Sequence, residues 1–190
     1  MAMMETESIC SATCASKPFK QEPRRIRVCF VCTGNTCRSP MAAAVANAWE
    51  KRLEAQAHAD DRIGIEAISA GLYAFDGDPI SAHAEEALTR AGIEPIPGHD
   101  YRTHTAHTIT AEEAERADLL VGLSGGHCME LMLRFPQAAS RIVSMPRPIS
   151  DPYGGDLAVY ERCLAEITEG VLQLLYASAE TEEKGDGHEG

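Results

Sequence analysis

The stretch Val28–Met41 reads VCFVCTGNTCRSPM, and in it Cys32 is followed by five residues and then by Arg38 and Ser39. An apolar run typical of a β-strand ends at Cys32, and Arg-Ser-Pro is typical of the start of a helix. Loop amides and the free N–H groups of a helix N-terminus can surround an oxyanion, and Arg38 can bind two of its oxygens at once. Because Cys32 lies at the base of this positive loop, where a thiolate is favoured, the stretch predicts phosphoryl transfer to sulfur.

Composition restricts the partners of such a site. The 190 residues, 44% of them hydrophobic, are typical of one globular domain. A formal net charge of −12 argues against a nucleic-acid partner, so the anion site has to be local, made by a loop and one arginine. No apolar stretch approaches the ~20 residues of a membrane span, and no membrane partner is expected.

The seven cysteines lack the spacing of a zinc site, and the N-terminus lacks the apolar segment of a secretory signal. We therefore expect reduced thiols, a cytoplasmic location, no metal and no cofactor. A monomer is the default oligomeric state.

Alternating strand and helix patterns predict a single α/β domain over residues 25–178, with a four-stranded parallel sheet covered by helices on both faces. The phosphate-binding loop follows the first strand, where such sheets bind ligands. Residues 1–24 and the acidic residues 179–190 are expected to be disordered. The predicted strands are 26–31, 63–69, 118–123 and 142–145, and the predicted helices are 40–57, 81–91, one that begins at the capping box of Thr110, 126–135 and 156–177.

Two motifs resemble the low-molecular-weight protein-tyrosine-phosphatase family. The first is Cys32–Pro40, and the second, about 110 residues further along, is Asp151–Gly155 with the sequence DPYGG. Between them, Ser69–Gly71 and His104–Thr110 also match family segments. The resemblance covers about residues 26–176 in the family's order, and it implies the fold described above.

The resemblance implies that Cys32 is the nucleophile and that Asp151 first protonates the leaving group and then deprotonates the attacking water. From the residues alone, Cys32 could be a structural cysteine, as we expect Cys29 to be, and Asp151 could be a turn residue. Ser39 also fits the N-cap of the following helix. The phosphate-binding residues that the resemblance implies are Thr33, Gly34, Asn35, Thr36, Cys37, Arg38 and Ser39.

Asn35, Ser69 and His104 match family positions that form a polar network behind the loop, and Asn35 tolerates a left-handed backbone there. Cys32 and Cys37 bracket the loop, which predicts a reversible disulfide and redox sensitivity, with Cys37 as the second cysteine. Four other histidines lack a partner pattern and are interpreted as surface or internally satisfied residues: His83, His99, His107 and His127.

Two positions favour phosphoarginine over phosphotyrosine. Family members that act on phosphotyrosine usually have a larger aliphatic residue at the position of Thr36 and a second aromatic residue at that of Gly154. Thr36 and the Asp-Pro-aromatic-Gly-Gly motif resemble the protein arginine phosphatase branch instead, which makes Thr36 and Tyr153 the specificity residues. Phosphotyrosine remains the alternative substrate, and a phosphorylated protein or peptide is the expected partner in either case.

Two further alternatives fit the sequence less well. Arsenate reduction on the same loop needs two more cysteines close together, but Cys128 and Cys163 are 35 positions apart on different predicted helices. A non-catalytic phosphopeptide-binding protein would be expected to have lost Cys32 or Asp151, and both are present.

Overall fold

A computed structural model describes the backbone of residues 25–56 and 64–182 and the side chains of residues 25–53 and 64–175. Residues 1–24 lie outside the described part, as do residues 183–190, so the disorder predicted there is not tested. The last helix extends to Glu182. It therefore ends five residues beyond its predicted end and includes the first four residues of the predicted disordered tail.

A four-stranded parallel sheet forms the centre of the fold, as predicted, with strand order β2-β1-β3-β4. Alternate residues of β1 enter the hydrophobic clusters on the two faces, Val28 and Phe30 on one side and Cys29 and Val31 on the other. Burial on both faces explains why this strand reads as a continuous apolar run. The strands are β1 (Arg25–Cys32), β2 (Gly64–Gly71), β3 (Leu119–Gly122) and β4 (Ile142–Ser144).

Helices cover both faces of the sheet. On one face, Met41 and Val45 of α1 pack with Leu88 of α2 and Ile167 of α5. On the other, Ala114 of α3 and Leu131 of α4 join the second cluster. The α-helices of the described residues are α1 (Arg38–Gln56), α2 (Ala82–Arg90), α3 (Ala111–Arg116), α4 (Gly125–Arg134) and α5 (Leu157–Glu182), and short 3₁₀ turns occur at Tyr101–Thr103 and Pro136–Arg141.

The helix starts show where sequence signals were sufficient. The capping box of α3 is confirmed, because Thr110 Oγ1 accepts from the N–H of Glu113 at 3.2 Å and the Glu113 carboxylate accepts from the N–H of Thr110 at 2.9 Å. The start of α1 was predicted too late. It begins at Arg38, so Ser39 lies inside the first turn and does not cap the helix.

The loop between β1 and α1 lies at the point where the strand order of the sheet reverses. Strand β1 pairs with β2 on one side and with β3 on the other, so the chain that leaves Cys32 enters the crevice between two connections. Residues that directly follow β2 and β3 fix the end of β1. The N–H groups of Leu72 and Leu123 donate to the carbonyls of Cys32 and Val31 at 2.9 and 3.0 Å, respectively. None of the described helices is long and apolar enough to span a bilayer.

Candidate active site

Cys32 is the last residue of β1, and its thiol faces the first turn of α1. Its Sγ lies 3.0 Å from Ser39 Oγ, and the residue is 3% exposed. Cys29, three residues earlier, is completely buried in the opposite cluster, as predicted for a structural cysteine. Burial and the nearby charge of Glu113 raise the pKa of Cys29, so it stays a thiol. The two cysteines of β1 thus face different environments.

The phosphate loop, residues 33–39, is organised around Asn35. Asn35 has a φ of 56°, is fully buried, and its Nδ2 donates to Ser39 Oγ and Ser69 Oγ at 3.0 Å each. Its Oδ1 accepts from the N–H of His107 at 3.1 Å, and its carbonyl lies 2.7 Å from His104 Nε2. The structure therefore brings together Asn35, Ser69 and His104, which the sequence analysis placed in one network, and adds Ser39 and the backbone of His107.

Protonation in this network follows from its acceptors. Burial lowers the pKa of His104, so its ring is neutral, and because the Asn35 carbonyl can only accept, Nε2 carries the proton. Ser39 Oγ already accepts from Asn35, and its single proton is within reach of the Ala70 carbonyl at 3.2 Å or of Cys32 Sγ. When Ser39 donates to sulfur, it stabilises a Cys32 thiolate.

Arg38 and Asp151 meet although they are 113 positions apart in sequence. Arg38 Nη2 lies 2.8 Å from Asp151 Oδ2; the arginine side chain is 9% exposed and the aspartate side chain 57%. Asp151 belongs to the acid loop, residues 145–156, between β4 and α5. The site therefore places Arg38, the predicted phosphate-binding cation, next to the predicted acid. Arg38 also directly precedes Ser39, which contacts Cys32.

The DPYGG motif forms a tight turn that presents Asp151. Pro152 is buried, and its carbonyl accepts from the N–H of Gly155 at 2.9 Å. Gly154 has a φ of 77°, a conformation that strains any side chain with a Cβ atom. The backbone N–H of Tyr153 donates to Asp151 Oδ1 at 3.2 Å, and Tyr153 is 84% exposed at the rim of the site. An aromatic residue at position 154 would therefore strain this turn.

The side chains of Thr36 and Cys37 are in contact with each other. Thr36 is half-buried, its carbonyl accepts from the N–H of Ser81 at 2.8 Å, and its Oγ1 lies 3.6 Å from Cys37 Sγ. Cys37 is buried against α5, with its Sγ 3.3 Å from Tyr160 Oη. Burial and this contact raise the pKa of Tyr160 to about 12. Both cysteines of the loop are free thiols, and the predicted Cys32–Cys37 disulfide stays a prediction.

His127 belongs to the site, and the sequence analysis did not identify it. It is 7% exposed on the first turn of α4, with Nε2 3.1 Å from Thr33 Oγ1 and Nδ1 2.9 Å from Ser124 Oγ. Burial and the charge of Arg38 lower the pKa of His127 to about 4, so the ring is neutral at pH 7. The available signal was its place just after β3, beyond the helix-capping Ser124, at the same sheet edge as Cys32.

The other histidines agree with the interpretation that they are surface or satisfied residues. His107 Nε2 lies 2.7 Å from a carboxylate oxygen of Glu113, and His83 packs edge-on against Tyr160 with 5.5 Å between the ring centroids. His99 lines a cleft of about 400 Å³ behind the phosphate loop together with His104 and Ser69.

Comparison with known proteins agrees with this geometry. The family model described as low molecular weight phosphotyrosine protein phosphatase matches residues 27–185. A protein-arginine-phosphatase of Geobacillus stearothermophilus is 32% identical over 164 residues, which cover 83% of this chain and 98% of that protein. The solved structure of the YwlE arginine phosphatase from the same organism has a TM-score of 0.69 and 29% identity, covering 86% of this chain and 99% of its own. A low molecular weight protein tyrosine phosphatase from T. tengcongensis has the same TM-score and 34% identity, covering 80% and 99%.

Proposed function

The chain belongs to the low molecular weight phosphotyrosine protein phosphatase family, and we propose that it removes phosphate from arginine side chains of proteins through a phosphocysteine intermediate. One observation carries the proposal. The first turn of α1 places Ser39 3.0 Å from Cys32 Sγ and the adjacent Arg38 2.8 Å from Asp151. This proximity supports the assignment of Cys32 as the nucleophile, Arg38 as the phosphate-binding cation and Asp151 as the acid.

In the first step, the Cys32 thiolate attacks phosphorus in line with the leaving group. A phosphorus–sulfur bond forms and the phosphorus–nitrogen bond of phosphoarginine breaks, while protonated Asp151 gives its proton to the departing guanidine nitrogen. The N–H groups of residues 33–39 and the fork of Arg38 bind the three equatorial oxygens. The products are phosphocysteine, unmodified arginine and an Asp151 carboxylate.

In the second step, water attacks the phosphocysteine and Asp151 takes its proton. The phosphorus–sulfur bond breaks, inorganic phosphate is released and Cys32 leaves as a thiolate, which accepts a hydrogen bond from Ser39. The same carboxyl group is therefore acid in one step and base in the next, which needs no second titrating residue.

The ion pair between Arg38 and Asp151 implies an order of events. A phosphate dianion brings two negative charges to the guanidinium that binds one Asp151 oxygen. It displaces the carboxylate from Arg38, because the dianion binds the guanidinium more strongly than a single carboxylate does. Substrate binding thus frees the group that donates the proton in the first step.

The preference for phosphoarginine rests on Thr36 and Gly154. The Thr36 hydroxyl is half-buried on the loop and can accept a hydrogen bond from a guanidinium N–H, which a phenyl ether lacks. The positive φ of Gly154 disfavours a second aromatic wall for a phenyl ring. The similarity to the arginine phosphatase of Geobacillus stearothermophilus supports the same substrate class.

Phosphotyrosine is the second candidate substrate. Relatives of similar identity include protein tyrosine phosphatases, and the exposed ring of Tyr153 offers one face for stacking on a phenyl group. Arsenate reduction has less support. Cys128 and Cys163 lie on α4 and α5, where each thiol donates to a backbone carbonyl, of Val143 and of Ser150 respectively.

Thr36→Ile tests the substrate directly. Loss of one hydrogen bond to a charged group costs about 1.5–3 kcal/mol, so the ratio of kcat/KM for phosphoarginine and phosphotyrosine peptides should shift by about 10–150-fold toward phosphotyrosine. Thr36→Ser, which keeps the hydroxyl, is the matched control and should keep the parent's preference. A parent that already prefers phosphotyrosine, or a ratio that Thr36→Ile leaves unchanged, would refute the arginine assignment.

The proposal also covers the location, the oligomeric state, the partners and the redox sensitivity of the protein. The protein would act as a cytoplasmic monomer on phosphorylated proteins, with no nucleic-acid partner. Peroxide would inactivate it reversibly through a disulfide between Cys32 and Cys37, for which Cys37 Sγ must leave its contact with Tyr160.

A further inference from the structure

The acid loop is attached to α5 through Ser150, the residue directly before Asp151. The N–H and Oγ–H of Ser150 both donate to Oε2 of Glu166, at 2.7 and 2.8 Å. The carbonyl of Ser150 accepts from Cys163 Sγ at 3.3 Å. All three polar groups of this one residue are therefore bound by two successive turns of the same helix.

Asp151 itself has few constraints. Its side chain is 57% exposed, it binds Arg38 with one oxygen, and the other accepts from the N–H of Tyr153 within the same turn. The ion pair to Arg38 must break when phosphate arrives, so it cannot hold the acid during the reaction. The backbone on either side of Asp151 therefore fixes its position: buried Pro152 follows it, and Ser150, bound to α5, precedes it.

The same helix also contacts the phosphate loop. Tyr160 Oη lies 3.3 Å from Cys37 Sγ, one turn before Cys163 along α5. The helix α5 therefore contacts both the phosphate loop and the acid loop. Their separation is set by the spacing of side chains on a helix, which is more precise than a loop-to-loop contact.

We propose that Glu166 is a positioning residue for the general acid: by binding both donors of Ser150 it fixes the Asp151 backbone relative to the phosphate loop. The proposal rests on the phosphatase function proposed above and assigns a residue that the reaction scheme does not contain. Hydrogen bonds to a carboxylate are among the stronger ones available to a partly exposed loop. A misplacement of about 1 Å at a reacting group can cost about 10²-fold in rate.

A role in positioning the acid predicts a specific kinetic signature. Protonation of the leaving group matters most when that group is a poor one, so loss of the acid's position penalises poor leaving groups selectively. Glu166→Ala should therefore lower kcat/KM for phenyl phosphate about tenfold more than for p-nitrophenyl phosphate. Inhibition by inorganic phosphate, which depends mainly on the phosphate loop and Arg38, should not weaken.

Three further variants separate positioning from general structure. Glu166→Gln keeps an acceptor oxygen for both Ser150 donors and should restore the parent's leaving-group dependence. Glu161→Ala removes another carboxylate of α5, one that pairs with Arg90 at 3.5 Å, and is the matched control with no expected change. In an Asp151→Asn background, Glu166→Ala should add no further loss, because there is no acid left to position.

The experiment is a series of aryl phosphates of graded leaving-group pKa, measured as kcat/KM on these variants and on Ser150→Ala, which removes only one of the two bonds to Glu166. The expected result is a steeper leaving-group dependence in Glu166→Ala than in the parent, and the parent's dependence in Glu166→Gln. In the Asp151→Asn background, adding Glu166→Ala should cause no further steepening. If Glu166→Ala does not fold, Ser150→Ala should show a smaller steepening. An equal loss for all leaving groups, or a loss that adds fully to that of Asp151→Asn, would overturn the proposal. A parent protein that releases phosphate from neither aryl phosphates nor phosphoarginine peptides would overturn the phosphatase function itself, and with it this role for Glu166.

Discussion

In the proposed reaction, the phosphate loop binds the phosphoryl group and the acid loop supplies the proton, yet the protein holds the two loops in opposite ways. In the phosphate loop, Asn35 and Ser39 are fully buried. Every polar atom of the Asn35 side chain has a partner. In the acid loop, Asp151 and Tyr153 are 57% and 84% exposed.

The difference follows from what each loop does. A site that stabilises negative charge works best when its donors are already in place before the charge arrives, which requires a buried network. An acid that exchanges Arg38 for a leaving group, and later for water, needs freedom to move its side chain. Rigid backbone anchoring at Ser150 combined with an exposed Asp151 side chain meets both needs.

The largest expected effect comes from removing the proposed proton carrier of the exposed acid loop. Asp151→Asn cannot donate or accept the proton and should slow turnover of a phosphorylated peptide by about 10²–10⁴-fold. Affinity for inorganic phosphate should persist, because the phosphate loop is untouched. Steady-state kinetics and phosphate inhibition measure the two quantities. A variant within tenfold of the parent would show that Asp151 is only a turn residue.

An intermediate effect is expected from the rigid half. Asn35→Ala removes three buried side-chain hydrogen bonds and places alanine at a φ of 56°, so the free energy of unfolding should fall by about 2–4 kcal/mol. Asn35→Gly tolerates that φ and should recover about 1 kcal/mol without recovering activity. Urea unfolding and kcat/KM measure these outcomes.

Asn47→Ala is the matched control for the network. Asn47 is also buried on α1, where it binds the N–H and carbonyl of Ala67 at 2.9 and 2.8 Å, away from the phosphate loop. It should lose comparable stability but keep the activity of the folded fraction. If Asn35 and Asn47 variants lose activity equally, the network has no special relation to the site.

The smallest effect concerns His127, whose folded-state pKa of about 4 lies below its ordinary value of 6.5. Between these values the unfolded chain binds a proton that the folded protein does not, so stability falls as the pH is lowered from 6.5 to 4. The free energy of unfolding of the parent should therefore decline more steeply over this range than that of His127→Gln. Carboxylates such as Glu113 titrate in both proteins and cancel in the difference. Parallel pH curves would contradict a neutral, buried His127.

The sequence was most informative where function depends on a continuous stretch. The residues from Cys32 to Ser39 make the whole phosphate loop, so one motif predicts both its place after β1 and its contents. The parallel sheet could be predicted because strand and helix patterns alternate along the chain. The central strand β1 could be recognised because burial on both faces gives it a continuous apolar run. The N-cap interpretation of Ser39 was wrong, because α1 begins one residue earlier, at Arg38. Ser39 lies in the first turn of the helix, and from there its hydroxyl contacts Cys32.

Contacts between distant elements could not be predicted in this way. His127 carries no motif of its own and reaches Thr33 only because β3 lies beside β1. The attachment of Ser150 to Glu166 depends on how closely α5 approaches the acid loop, which packing decides. Periodicity specifies which face of a helix is buried but not which loop that face meets.

Phosphocysteine formation is the central claim, and mass mapping of Asp151→Asn after rapid quenching of its reaction with p-nitrophenyl phosphate tests it most directly. This leaving group departs without an acid, whereas hydrolysis of the intermediate lacks its base, so the intermediate should accumulate. If Cys32 is the nucleophile, one phosphoryl group should lie on Cys32, unchanged by adding Cys29→Ala and absent when Cys32→Ser is added. Release of nitrophenol by Asp151→Asn without phosphate on Cys32, or with phosphate on another residue, would contradict it.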